Sequence, residues 1–245
     1  MKNKILLILG LLSFSTFVYA QDSKPFVVVE SFTSEGCSSC PPAYEVLKEI
    51  KKSAQINKQE IFILDFHVDY WDQLGWKDPW SSPQFTKRQY QYAQNLKNSS
   101  VYTPEMIING QYAFVGSNDE KAMKYINLAL AEIPQASIGL EFIDETLDHF
   151  EIAYKISPTP TNAILNIAFV EDGLVSDVLK GENEGQTFTH TATVLSFKKI
   201  LPTGEGQIKI LKPANFKPSN SMVIVYLQDP TDMRILAAHS LNLNE

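Results

Sequence analysis

The stretch Phe26-Val27-Val28-Val29-Glu30-Ser31-Phe32-Thr33-Ser34-Glu35-Gly36-Cys37-Ser38-Ser39-Cys40-Pro41-Pro42 decides how this chain is read. Its opening run is apolar and β-branched with one carboxylate in it, the pattern of a buried strand. The turn Thr33 to Gly36 follows, and then two cysteines separated by two residues. Beyond the prolines, Val46, Leu47 and Ile50 recur at helical spacing, and proline has its φ preset for a helical first turn. The pair therefore sits where a strand hands over to a helix.

Cys37 and Cys40 are the chain's 2 cysteines in 245 residues. A disulfide closing so short a loop stabilises by roughly 2 kcal/mol before strain is subtracted, so a structural staple explains the pair poorly. Redox or metal chemistry explains it better. Free amides and the positive end of the helix dipole favour a thiolate at the N-terminal cysteine. Cys37 is the expected attacking group, and Cys40, one turn on, resolves the mixed disulfide. Glu30, in an apolar strand seven positions before Cys37, is a candidate to relay the proton of Cys40.

Before this stretch stand a basic start, Met1 to Lys4, an apolar run from Ile5 to Val18, and Val18-Tyr19-Ala20 ahead of Gln21. That is the layout of a secretory signal peptide over residues 1–20, so export to the periplasm or beyond is expected. The apolar run is short for a bilayer span, which leaves no membrane segment after cleavage. Loss of Lys2 and Lys4 takes the formal net charge from −7 to −9. An acidic chain with no basic run gives no support for nucleic-acid binding.

After the cysteines, Ile61 to Val68 reads as a second buried strand ending in His67 and Asp69. His67 is a hydrogen-bonded core residue, a group that stabilises the Cys37 thiolate, or, as an alternative, a third metal ligand with both cysteines. The segment Asp69 to Pro83 holds all 3 tryptophans and reads either as a recognition surface or as packing turned inward. Ser82-Pro83 caps a helix carrying Phe85, Gln89, Tyr92 and Leu96 on one face. Val101-Tyr102-Thr103-Pro104 leads to Met106-Ile107-Ile108 and then Asn109-Gly110, a strong hairpin pattern. Pro104 is expected to be cis, so that Thr103 lies beside the sulfurs and its backbone is open to an extended substrate. Ser117 with Glu120 fits a capping box, and an amphipathic helix follows as far as Pro134.

Beyond Pro134 the period changes to two. About seven short alternating strands in about a hundred residues, with turn residues between them, is the arithmetic of an antiparallel β-sandwich. The domains expected are thus 21–135, α/β with a helical and aromatic insertion, and 136–245, all-β.

The element order of the first part (strand, CxxC, helix, strand, helix, Thr-Pro, hairpin, helix) is that of a thioredoxin-like fold. The run from Phe32 to Pro42, the run from Phe66-His67-Val68-Asp69-Tyr70-Trp71-Asp72 through Leu74-Gly75-Trp76-Lys77-Asp78-Pro79, and Val101-Tyr102-Thr103-Pro104 with Asn109-Gly110 resemble three hallmarks of a bacterial family of secreted, thioredoxin-like proteins of unknown function. Gly181-Glu182-Asn183, with Gly185 and His190, resembles a fourth. The resemblance implies export and a thioredoxin-like fold, and no established reaction. The wider superfamily implies roles for Cys37, Cys40 and Pro104. The chain departs from ordinary thioredoxins in lacking a tryptophan before Cys37, in its Ser-Ser between the cysteines, and in its long insertion before Thr103. The function expected is thiol–disulfide exchange with protein or peptide thiols and a redox partner protein, with no cofactor. The alternatives are copper or zinc handling through Cys37, Cys40 and His67, and a non-catalytic binding module.

Overall fold

The computed structural model describes residues 24–98 and 100–243. The expected signal peptide lies outside the described residues. The apolar run forms β1 (Phe26–Thr33), buried at every position. Alternation along it sends Val27 and Val29 to one face and Val28 and Phe32 to the other. The helix α1 (Pro41–Asn57) starts with Cys40 as its N-cap and two prolines in its first turn. Leu47 and Ile50 pack with Val27 and Val29. The strand β2 (Glu60–His67) runs parallel to β1, with Thr33 opposite His67.

The helix α2 (Pro83–Asn95) opens on Ser82, whose hydroxyl accepts from Gln84 N at 3.2 Å. It covers the other face of the sheet, placing Phe85 and Tyr92 among Val28, Phe32 and Phe66. A hairpin of β3 (Glu105–Ile108) and β4 (Tyr112–Val115) turns through Asn109 and Gly110, at φ 46° and 72°, the left-handed pair that such a turn needs. The helix α3 (Asp119–Leu130) is capped by Asn118, which accepts from Lys121 N at 2.8 Å. The cap is thus one residue beyond the expected Ser117, because the asparagine carbonyl reaches the third amide of the turn.

Nine strands follow: β5 (Ser137–Glu145), β6 (His149–Ser157), β7 (Ile164–Glu171), β8 (Val175–Asp177), β9 (Thr187–Thr189), β10 (Thr193–Ile200), β11 (Glu205–Leu211), β12 (Ser221–Gln228) and β13 (Ile235–Asn242). They do not stay apart from the first part of the chain. One 8-stranded sheet runs in the order β13-β12-β7-β10-β2-β1-β3-β4, joined where Thr193 pairs with Asp65. A 3-stranded sheet, β11-β6-β5, lies over the C-terminal half of it. Phe150, Ile152 and Ile208 of the small sheet share a core with Leu165, Ile167, Val223 and Val225. The opposite face of the same strands, with Ala168, Val170, Ile224 and Tyr226, packs beneath α2. Strands covered on both faces read as continuous apolar runs, which is why β7 and β12 scarcely alternate. No helix among the described residues is long and apolar enough to cross a membrane.

Candidate functional site

Cys37 and Cys40 are both free thiols and fully buried. The local fold explains their placement: Cys37 N donates to Ser34 O at 3.1 Å and Cys40 N to Cys37 O at 3.1 Å, a tight turn that leads into α1. Of the free amides expected around the thiolate, that of Ser39 is there and lowers the Cys37 pKa. Pro41 and Pro42 have no N–H, and the next two amides, Ala43 and Tyr44, both donate to Cys40 O. Side chains supply the rest. Cys37 Sγ lies 3.2 Å from Ser39 Oγ and 3.7 Å from Thr103 O, which also accepts from Ser39 Oγ at 3.2 Å. The hydrogen bond from the Cys40 thiol lowers the Cys37 pKa to about 6, against the opposing effect of burial, with Ser39 and Thr103 adding to the lowering. Burial and the neighbouring Cys37 push Cys40 well above the usual thiol range. One sulfur is thus primed and the other kept protonated.

The Thr103–Pro104 bond is cis. Gln89 of α2 donates to Tyr102 O at 2.7 Å and to Glu105 Oε2 at 2.8 Å, which fixes this segment from behind. Trp71 Nε1 donates to Thr103 Oγ1 at 2.8 Å. Thr103, Pro104, Cys37 and Cys40 are therefore brought together.

Glu30 is not. It points to the α2 face, whereas α1 and the cysteines lie on the other. There it pairs with Arg88 Nε at 2.7 Å and accepts from the hydroxyls of Tyr92 and Tyr226. Glu30 is thus half of a buried ion pair on the face of the sheet away from the cysteines.

His67 ends on the α1 face and is fully buried. Its Nδ1 meets Asp78 Oδ2 at 2.7 Å, and its Nε2 lies 3.3 Å from Asp65 Oδ2. Burial opposes its charge, but Asp78 and Asp65 outweigh that and hold its pKa well above the ordinary histidine range. Burial likewise acts against the Asp78 anion, and His67 overcomes it, so the Asp78 pKa is lowered. Cys37, Cys40 and His67 do not form a ligand cluster among the described residues; His67 belongs to one with Asp65 and His190.

Several participants came from outside the expected set. Glu35, fully buried in the turn before Cys37, accepts from Trp76 Nε1 at 2.8 Å and Ser176 Oγ at 3.0 Å, and its Oε1 lies 2.8 Å from His190 Nε2. Asp78 accepts from Glu35 N at 2.8 Å. The β8–β9 hairpin and its loop form a strap over the dithiol, packing Val178 and Phe188 against Cys37, Cys40 and Tyr44. Asn183 Nδ2 donates to Glu35 O at 2.7 Å and Cys37 O at 3.0 Å, while Glu182 accepts from Ser38 N and Oγ. Gly181, at φ +83°, lies so close to Trp76 that a Cβ would stand 3.3 Å from that residue's own Cβ. The tryptophan segment is therefore turned inward. In the sequence the strap is marked by its Gly-Glu-Asn run and His190.

Asn183→Ala removes two buried hydrogen bonds that exist only while the strap is closed. At about 1 kcal/mol each, their loss raises the open population roughly 30-fold. The alkylation rate of reduced Cys37 under native conditions is expected to rise by that order; an unchanged rate would mean that reagents reach the sulfur without moving the strap.

The structure is similar to that of protein AGR_C_4864 from Agrobacterium tumefaciens, with a TM-score of 0.67 and 26% identity over 92% of this chain and 97% of that one. It also shares its fold with HBP35 of Porphyromonas gingivalis, at a TM-score of 0.64 and 16% identity, covering 91% of this chain and 76% of that one. Among curated proteins, the UPF0398 protein SUB1405 of Streptococcus uberis is 27% identical over 113 residues, 44% of this chain and 65% of that protein, so the chain spans less than two thirds of that relative's length. A family model described as a protein of unknown function matches residues 28–228, and the chain accordingly belongs to that family, DUF1223.

Proposed function

We propose that this chain is an exported thiol–disulfide oxidoreductase on a thioredoxin-like scaffold, acting on protein or peptide disulfides and recharged by a redox partner protein. The sheet order β2-β1-β3-β4, with β1 and β2 parallel, β1 and β3 antiparallel and the CxxC between β1 and α1, supports the scaffold. Export rests on residues 1–20 alone. The observation that carries the reaction is the asymmetry of the dithiol: Cys37, which takes a hydrogen bond from the Cys40 thiol and lies 3.2 Å from Ser39 Oγ, favours its thiolate, and Cys40 behind it stays protonated.

With the strap open, the Cys37 thiolate attacks one sulfur of a client disulfide. The S–S bond breaks, and the departing client sulfur leaves with the electron pair and takes up a proton. Cys40 then loses its proton and attacks Cys37 Sγ, releasing the second client thiol. The client is reduced by two electrons, and Cys37–Cys40 becomes the disulfide. The reverse sequence oxidises a client dithiol. A stabilised Cys37 thiolate favours the reduced form of the protein, which moves the pair toward the oxidising end of the range.

Two measurements test this. Equilibration of the mature protein in a glutathione series is expected to give a two-electron transition between dithiol and disulfide. The alkylation rate of Cys37 is expected to climb with pH through a midpoint near the lowered pKa of about 6, because only the thiolate reacts, and to level off above it. A pair that never equilibrates with glutathione, or a midpoint at the ordinary thiol value, would remove the reading.

A further inference from the structure

Behind the dithiol, on the α1 face of the large sheet, lies a second constellation that disulfide exchange does not use. Asp65 and His67 occupy alternate positions of β2 and so project to the same side. His190, where the strap returns from β9, comes to meet them: its ring centroid is 4.8 Å from that of His67 and 4.9 Å from that of Trp80. All three side chains are fully buried, and donor atoms of the three lie within 4.8 Å of one another.

Each of the three has one polar atom held from outside and one left over. Thr33 Oγ1 donates to Asp65 Oδ1 at 2.9 Å, Asp78 Oδ2 meets His67 Nδ1 at 2.7 Å, and Glu35 Oε1 meets His190 Nε2 at 2.8 Å. Of the remaining atoms, Asp65 Oδ2 and His67 Nε2 face each other at 3.3 Å, His190 Nδ1 has no partner, and none of the three makes a well-formed hydrogen bond. Buried polar atoms are rarely left so, and three of them in one place call for an occupant. A carboxylate gripping the far nitrogen of each imidazole, leaving the near one free, is how metal-binding histidines are oriented.

We propose that Asp65, His67 and His190 bind a divalent transition-metal ion of the zinc class. Two imidazoles and a carboxylate suit zinc and its neighbours rather than calcium or magnesium, which take oxygen donors. The 3.3 Å between His67 Nε2 and Asp65 Oδ2 is what two donors show on a tetrahedral ion with bonds of about 2.0–2.1 Å. Charge agrees. Asp65, Asp78 and Glu35 are buried carboxylates whose ion-pair partners among the described residues are the two histidines alone. A dication would add positive charge to this buried group of carboxylates. Tyr44, whose ring meets His190 edge-on at 4.9 Å, also has a buried hydroxyl without a hydrogen-bond partner. The ion would tie the strap, through His190, to the end of β2, and so hold the cover over Cys37 and Cys40. Neither cysteine is a ligand.

The probe is cobalt(II) added to the mature full-length protein after exhaustive chelation. The expected result is one cobalt per chain with the visible bands of four-coordinate cobalt, displaced by zinc, and a thermal midpoint several degrees higher with metal than with chelator. Asp65→Asn, which keeps the shape, and His190→Ala are expected to cut uptake at least tenfold, while the Cys37→Ser/Cys40→Ser double variant keeps one equivalent and the same bands. Should the histidine variant fail to fold, X-ray absorption of the unaltered zinc-loaded protein reads the ligands directly, with nitrogen and oxygen expected and no sulfur. Uptake below a tenth of an equivalent with no thermal shift would overturn the proposal. So would sulfur in the metal's first shell, or uptake lost in the double cysteine variant.

Discussion

Cys37→Ser is expected to abolish the proposed disulfide exchange, and Cys40→Ser to stop it one step later with the client still attached. The two thiols are neighbours in the chain and opposites in chemistry. Cys37 takes a hydrogen bond from the Cys40 thiol and has Ser39 Oγ at 3.2 Å, and its pKa falls to about 6. Burial and the charge of Cys37 keep the Cys40 thiol protonated, so it cannot begin the reaction. A serine hydroxyl in place of Cys37 offers no nucleophile at neutral pH, and the rate should drop to background. With Cys40 replaced, the first attack proceeds and nothing resolves it. Mass spectrometry of the non-reduced Cys40→Ser protein after incubation with a disulfide peptide should then find close to one adduct per chain, on Cys37. Adducts on Cys40 of the Cys37→Ser protein would reverse the assignment. The site is otherwise a tight fit for a small side chain, so neither variant should unfold the protein.

Arg88→Met is expected to cost about 3–5 kcal/mol of stability, the loss typical of one partner removed from a buried ion pair. Arg88 is 1% exposed and Glu30 0%, and they meet at 2.7 Å. Arg88 also donates to Tyr92 Oη at 3.0 Å and Gln228 Oε1 at 3.3 Å. Its Nη1 has no hydrogen-bond partner, but the guanidinium sits among the rings of Phe66, Tyr92, Phe197 and Tyr226 at 4.8–5.7 Å. Methionine fills much of that space and leaves Glu30 without its counter-charge. The matching Glu30→Gln change in the same protein should recover part of the loss, because the cost lies in the orphaned charge more than in the missing contact. Urea unfolding measures both. A single Arg88→Met shift below about 1 kcal/mol would mean that water reaches the pair.

This pair shows where reading along the chain stops. Glu30 stands out as a carboxylate in an apolar strand, and proximity in sequence suggests that it serves the cysteines. Strand alternation sends it to the far face, and its partner lies 58 residues away on α2. The histidines show the same limit. His67 is visible at the end of β2, but the roles of Asp65, Asp78, Glu35 and His190 depend on three segments meeting, the last of them 155 residues from Glu35.

Part of this architecture follows from rules that act over a few neighbouring residues. The β-branched run, the turn, the two cysteines and the prolines place the dithiol between β1 and α1, because period two and a preset proline φ act within a few residues. The Asn109–Gly110 hairpin and the Ser82 cap are of the same kind. Long-range packing decided that the C-terminal strands extend the sheet that carries the dithiol, through one pairing of Thr193 with Asp65. It also decided that the β8–β9 strap closes over Cys37. Sheet edges and buried charges are satisfied by whichever segment reaches them, and alternation along one strand carries no record of which that will be.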